Sequence, residues 1–302
     1  MSNWVRAERS TKLIAALVAF GLVFTCGALA DDFDDPALGL ISSDLPVLTD
    51  KEKADGVKWP VPKGAWINHV WKNGPADKAG LDELDIITAA GGEKIDSQAD
   101  LKETVKKHGF DKLVISYYRP ITAKNRLRWR RFKATAEPIS RRNLLAVQVS
   151  RKMDEATGAI IYRHRDSPKE VNAESSVDLY VIDADTGPAR AYLRITYVAD
   201  DWLFISGYTF VGDGKRIHLS PPVDGVQRDH DTRIWEWYTE DAEVNDKTSK
   251  VMQIANTIVD SSQVKLFYHG DQYRKERELS HEEMARVYMM LDLIASRPEL
   301  KN

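Results

Sequence analysis

Lys63-Gly64-Ala65-Trp66-Ile67-Asn68-His69-Val70 is a short apolar run opened by glycine, and Asn73-Gly74-Pro75 turns the chain after it. Ala76-Asp77-Lys78-Ala79-Gly80-Leu81 then reads as one helical turn closed by Gly80, and Asp85-Ile86-Ile87-Thr88-Ala89 returns as a strand to the turn Gly91-Gly92. This spacing of apolar runs and turn residues predicts strand, turn, short helix and strand in succession. A second helix is predicted to start at the N-cap Ser97 with Asp100 as its capping-box partner, placing Leu101 and Val105 on one face. Lys112-Leu113-Val114-Ile115-Ser116-Tyr117-Tyr118-Arg119 is the closing strand.

Read together, these segments resemble the bacterial type of PDZ domain over residues 57–137. The strongest part is Gly-Pro-Ala-x-x-Ala-Gly-Leu at 74–81 followed by Asp85-Ile86-Ile87. Leu84 departs from the pattern, since the family usually has Gly before that Asp. The resemblance implies a module in which an extended peptide adds as a strand between a sheet edge and a helix, while backbone N–H groups of a glycine-opened loop capture its terminal carboxylate. Carried over residue by residue, it implies that Gly64, Ala65 and Trp66 form the carboxylate loop, Ile67 and Asn68 continue the receiving strand, and Leu101 and Val105 line the facing helix. Trp66 stands where the family more often has an aliphatic residue, so a ring that fills the pocket stays open beside one that lines it. A PDZ-like scaffold used only for packing is the alternative reading.

Outward from this core, the 302-residue chain has room for two domains. Its 43 Lys and Arg against 46 Asp and Glu create no field that would draw in nucleic acid. Arg6, Arg9 and Lys12 precede an uncharged run from Leu13 to Ala30 that ends Ala28-Leu29-Ala30, the pattern of a signal peptide cleaved after Ala30. Such a chain is expected to be periplasmic or secreted. Two further readings stay open, an uncleaved anchor formed by residues 13–30 and lipidation of Cys26. Cleavage removes three bases and one acid, taking the net charge from −3 to −5, and it removes the one Cys. Residues 31–56, rich in Asp and Glu, read as an acidic flexible linker. In the basic segment from Lys124 to Lys133, Arg126, Arg128 and Arg130 alternate onto one strand face, with Leu127 and Trp129 on the other. That face offers a solvated surface, a contact for an anionic envelope surface, or a hold on the acidic leader.

Residues 138–302 read as a strand-rich α+β domain. Strands are expected at 144–150, 159–164, 177–183, 189–198, 201–211, 215–219, 233–238 and 262–269, with hairpin turns at Ala199-Asp200 and Asp213-Gly214. Trp202, Phe204, Tyr208 and Phe210 are expected on one strand face, with Leu203 and Ile205 opposite and both faces covered. Helices are expected over 246–260 and from the box Ser280-His281-Glu282-Glu283 to the residues before Pro298. Ala199-Asp200-Asp201-Trp202-Leu203-Phe204-Ile205, Trp235-Glu236-Trp237-Tyr238 and Gly270-Asp271-Gln272-Tyr273 look like a domain of uncharacterised secreted bacterial proteins, which implies no activity.

The fold class expected of the whole is α+β: a PDZ-like, partly open β-barrel with two helices, then an antiparallel, sandwich-like domain with two packed helices. Catalytic signals fail one by one. His281-Glu282-Glu283-Met284-Ala285 lacks the second metal-ligating histidine, Asp229-His230-Asp231 reads as a polar loop, and neither a serine-nucleophile motif nor a glycine-rich phosphate loop is present. No catalytic residue, metal ligand or cofactor is therefore nominated. The expected function is an exported, non-enzymatic adaptor that binds a peptide C-terminus or extended segment. The alternative is an envelope protein whose second domain recognises glycan or lipid; a glycan site would need two exposed, coplanar rings among Trp202, Trp235, Trp237, Tyr238 and Tyr273.

Overall fold

The computed structural model describes residues 34–54, 57–123, 126–184 and 187–296, and the described chain divides into two compact units between Val147 and Gln148. The expected leader at 1–30 lies outside the described residues.

The first unit runs β1 (Pro36–Ala37), β2 (Leu40–Asp44), α1 (Asp50–Ala54), β3 (Ala65–Val70), α2 (Pro75–Lys78), β4 (Ile86–Ala90), β5 (Glu93–Lys94), α3 (Gln98–His108), β6 (Leu113–Ala123), β7 (Arg126–Ala136), β8 (Ile139–Ser140) and α4 (Arg141–Gln148). Its antiparallel sheet has the order β2-β3-β4-β6-β7 and stays open, with edges at β2 and β7. The core gathers Leu38, Ala65, Ile67, Ile87, Leu101, Val105, Leu113 and Ile115 between this sheet and α3. The α3 cap is built as its sequence predicts: Ser97 Oγ accepts from Asp100 N (3.1 Å), and Asp100 accepts from Asp96 N (2.9 Å). Leu84 adopts the left-handed region at φ 69°, so the turn before β4 forms without glycine, at a cost of about 1–2 kcal/mol.

Two expectations fail here. Residues 31–56 are not a linker throughout, because β1 pairs with β8 and β2 joins the main sheet, burying Leu38 and Ile41. The strands are short and bracketed by Asp34, Asp35 and Asp44, so acidity masks the few apolar positions. Residues 144–150 are not a strand either. The chain is helical to Gln148, with Leu144 and Leu145 buried, before β9 (Val149–Met153) begins.

The second unit continues with β10 (Ile160–His164), β11 (Ser176–Asp183), β12 (Arg190–Ala199), β13 (Ile205–Gly212), β14 (Lys215–Leu219), β15 (Gln227–His230), β16 (Ile234–Glu243), α5 (Lys250–Asp260), β17 (Val264–Gly270), β18 (Arg274–Glu278) and α6 (His281–Ser296). Two antiparallel sheets form, β15-β16-β12-β11-β10-β9 and β14-β13-β17-β18. They meet through aromatics, with Tyr197 5.2 Å from Tyr268 and Tyr208 6.3 Å from Tyr238 between ring centroids. Burial pushes the Tyr268 hydroxyl up to about 12. α5 packs on strands of both sheets and α6 on β10 and β11. The box at α6 is reciprocal: Glu283 N donates to Ser280 Oγ (3.2 Å) and Ser280 N to Glu283 (2.9 Å). Asp213-Gly214 makes the expected hairpin, whereas Ala199-Asp200 does not, because β12 pairs with β11 and β16 and the chain there crosses to the other sheet. β13 starts only at Ile205, with a bulge between Ile205 and Gly207 that leaves Ser206 exposed, so the expected strand over 201–211 is cut short, although Gly207, Tyr208, Thr209 and Phe210 are buried on both its faces.

Candidate peptide-binding groove

In the first unit β2 pairs only with β3 among the described strands, leaving its outer edge as the end of the sheet. α3 packs along β1, β2 and β3. The Asp44 carboxylate accepts from Gln98 N (2.7 Å), joining the end of β2 to the start of α3. At the other end Lys106 Nζ lies 3.0 Å from Asp35, just before β1. The helix therefore runs antiparallel to β2. Five strand residues span about 17 Å, and eleven helical residues span about 16 Å, so edge and helix match in length. A cavity of about 390 Å³ lined by Asp44, Lys63, Asp96 and Asp100 opens at the α3 N-terminal end. Gly39, at φ 73°, turns the chain into β2, and a Cβ there would lie 3.1 Å from Pro75 and 3.2 Å from Leu144.

The residues read from sequence separate into two groups. Leu101 and Val105 lie on α3, buried in the core cluster that also holds Ile67 and Leu38. The loop and receiving strand are corrected. β3 is an interior strand: Ala65, Trp66 and Ile67 pair with Asp44, Ser43 and Ser42 on one side, while Ala65 and Trp66 pair with Ile87 and Ile86 on the other. Ile67 N is spent on Asp85 O (2.9 Å) and Gly64 O on Leu45 N (3.2 Å). A Cβ at Gly64 would come within 2.8 Å of Ile86 and of the Ile87 carbonyl, so the backbone is packed closely against β4 there. Asn68, buried, continues this interior strand rather than an edge.

Trp66 is 4% exposed, but it neither lines nor fills the groove. β-strand alternation turns it to the face opposite Ala65 and Ile67. There it meets Trp59 (5.2 Å) and Trp129 (6.4 Å), whose indole N–H groups donate to Pro46 O (2.8 Å) and Lys58 O (3.1 Å). The three rings clamp the segment before β3 to the back of the sheet.

Elsewhere, Arg128 and Arg130 are exposed on β7, the other sheet edge, where charge discourages pairing with a second sheet; the Arg126 side chain lies outside the described residues. Of the leader's described residues, Asp34 meets Arg142 (3.3 Å) and Asp35 meets Lys106 (3.0 Å), both outside this strand. Among the described residues no group of three or more His, Cys, Asp or Glu is placed to hold a metal ion. Glu283 of the failed zinc motif is taken up by Arg277, at 2.7 Å from each oxygen, and by Val177 N (2.9 Å). Burial alone would raise its carboxyl, but these donors together hold it below its ordinary value.

An open sheet whose edge strand lies beside a helix of equal length is the architecture of modules that bind peptide by strand addition. Residues 43–126 match the family model of the PDZ domain, and this part of the chain is a PDZ-like module. The match starts inside β2, so β1 and the turn at Gly39 precede it. Among solved structures, "Crystal Structure of the HtrA3 PDZ Domain Bound to a Phage-Derived Ligand (FGRWV)" is 17% identical, covers 34% of this chain and 84% of its own, and has a TM-score of 0.26, too low to carry weight. No curated protein matches.

Proposed function

We propose that the chain is an exported, non-enzymatic adaptor whose first unit receives an extended peptide, or a peptide C-terminus, between β2 and α3. The free outer edge of β2 supports this most directly. A peptide strand added there would run antiparallel to β2, its side chains meeting the apolar side of α3 and its terminal carboxylate reaching the turn at Leu38-Gly39-Leu40. This reading moves the receiving strand from Ile67 and Asn68 to Leu40–Asp44 and keeps Leu101 and Val105. Export rests on the basic start, apolar run and Ala28-Leu29-Ala30 of the N-terminal segment.

The test is amide NMR of the full chain titrated with a random C-terminal peptide library, free-acid against amidated. Shifts centred on residues 38–44 and 98–108, weaker with amidated peptides, are expected. Shifts centred on 64–68, or equal binding of amidated peptides, would refute the placement of the carboxylate.

A further inference from the structure

A cavity of about 490 Å³ opens in the second unit between β14 and α5, bordered by Lys215, Arg216, Lys247, Gln253, Asn256 and Thr257. That is the size of a small-molecule site. β14 ends its sheet, pairing only with β13 among the described strands. Asp213 (φ 41°) and Gly214 (φ 83°) make the two-residue turn before it, and such a turn closes on a hydrogen-bonded pair, here Gly212 and Lys215. The next pair, Val211 and Arg216, is then of the kind without hydrogen bonds between its members, so the Arg216 N–H points out along the free edge, where the cavity lies. Across from it Gln253, Asn256 and Thr257 share one face of α5, while Val251, Ile254, Ala255 and Ile258 are buried in the core.

We propose that this cavity binds a phosphate monoester of a small hydroxylated molecule. Charge selects the anion. Among the described residues no Asp or Glu borders the cavity. Lys215 is paired to Asp260 (3.3 Å), and Asp246, beside Lys247 in the chain, accepts from Thr248 N (2.9 Å) and Oγ1 (2.7 Å). Arg216 and Lys247 make no ion pair among the described residues, so two positive charges at one cavity stay uncompensated. A phosphate monoester brings a charge of about −1.5 to −2 near neutral pH, which balances them, whereas a lone carboxylate or a sulfate ester brings a single charge. The Arg216 N–H and the Lys247 ammonium supply charge-assisted donors for the phosphate oxygens. The amides of Gln253 and Asn256, each both donor and acceptor, suit the hydroxyls of the esterified group, and the Gln253 amide is held in place by its bond to Thr248 O (2.6 Å). The site shares no residue with the peptide groove of the first unit.

The test is calorimetry of the full chain at low salt with glycerol 3-phosphate, ribose 5-phosphate and glucose 6-phosphate, and with inorganic phosphate, glycerol, ribose and glucose as the separated parts. Saturable binding of at least one ester is expected, tighter than inorganic phosphate and absent for the unphosphorylated parents, and weakened about tenfold in Lys247→Gln and in Asn256→Leu. Lys247 is exposed and Asn256 half-buried on the polar face of α5, so neither variant opens the core, and unchanged thermal unfolding checks this. Lys275→Gln, which removes an exposed cation from β18 at the opposite edge of the same sheet, should bind like the parent chain. Binding of none of the esters, inorganic phosphate binding as tightly as every ester, binding undiminished in Lys247→Gln, or an equal loss in Lys275→Gln would overturn the proposal.

Discussion

Glu236→Gln isolates what holds the turn at 203–205. In the native unit one carboxylate oxygen accepts from Leu203 N and Phe204 N, and the other from Ile205 N and Arg228 Nε. A glutamine keeps one acceptor oxygen. Placed to serve Leu203 and Phe204, it turns its NH2 toward two N–H donors, Ile205 and Arg228, in a site with no solvent access at the side chain. Each buried donor left unpaired costs about 1–3 kcal/mol, and removing one charge of a buried pair costs about 3–5 kcal/mol. Arg228 is one-third exposed at its side chain, so water recovers part of its loss, and about 3 kcal/mol is the expected total. That is a large part of the stability of a typical domain, about 5–15 kcal/mol. Urea unfolding of the full chain reads the loss, and hydrogen exchange locates it in the amides of residues 203–205. A variant within about 1 kcal/mol of the parent, with those amides still protected, would refute the role given to Glu236.

Leu84→Gly relieves a left-handed leucine but frees the unfolded chain, so the expected change is from zero to about 1 kcal/mol of stabilisation; a clear loss in thermal unfolding would show that the leucine side chain, not the turn, sets the balance. Trp66→Phe should cost about 1–3 kcal/mol through the Trp59–Trp129 clamp yet leave peptide affinity unchanged, and a parallel fall in affinity would return Trp66 to the groove. His269, whose Nε2 lies 2.7 Å from Thr209 Oγ1 opposite His218 Nδ1 (3.0 Å), is held below its ordinary value of 6.5 by burial and then by His218, Arg274 and Arg216. The unfolded chain therefore takes up that proton more readily, so the stability His269 contributes is complete above about pH 6.5 and declines as pH falls through that value; His269→Asn should flatten the profile between pH 7 and 5, and an unchanged slope would exclude this histidine as its source.

Between residues 63 and 119 the elements were legible, because turn residues and apolar alternation agree there with the local fold: the Ser97 cap, the face shared by Leu101 and Val105, and the strands at Ala65 and Ile86 all follow from it. The edge strand was not legible. β2 is five residues long, its strongest apolar residues are Leu40 and Ile41, and its partner β3 lies beyond α1 and a proline-containing stretch. Sequence shows that residues 65–70 form a strand but not which neighbours it has, so a glycine-opened run looked like an edge when pairing on both sides makes it the interior. The same limit applies at 201–211, where an apolar run hides the point at which Phe204 leaves the strand region, a change imposed by Glu236 from a strand more than thirty residues further on.

Leu84 and Phe204 show one backbone solution in two settings. Each is a left-handed residue with a β-carbon, and each lies beside a carboxylate with no solvent exposure that is paired to an arginine: Asp85 with Arg119 at 2.8 and 2.6 Å, and Glu236 with Arg228 at 3.0 Å. Asp85 also accepts from Asp82 N (2.9 Å), and Arg119 donates to Gly80 O (2.8 Å), so the turn around Leu84 is tied at both ends. Burial pushes the Asp85 carboxyl up, against the pull of Arg119 and Asp82, so the charged pair is dear in desolvation and is retained with its turn. The outcomes differ in the side chain displayed. Leu84 is half-buried, and its turn delivers Ile86 and Ile87 into the core, whereas the turn at Phe204 delivers Leu203 and Ile205 inward and leaves the phenyl ring outside. In the first unit the strain therefore serves packing. In the second, Leu203 and Ile205 alone pack inward, and the residue that carries the strain stays exposed.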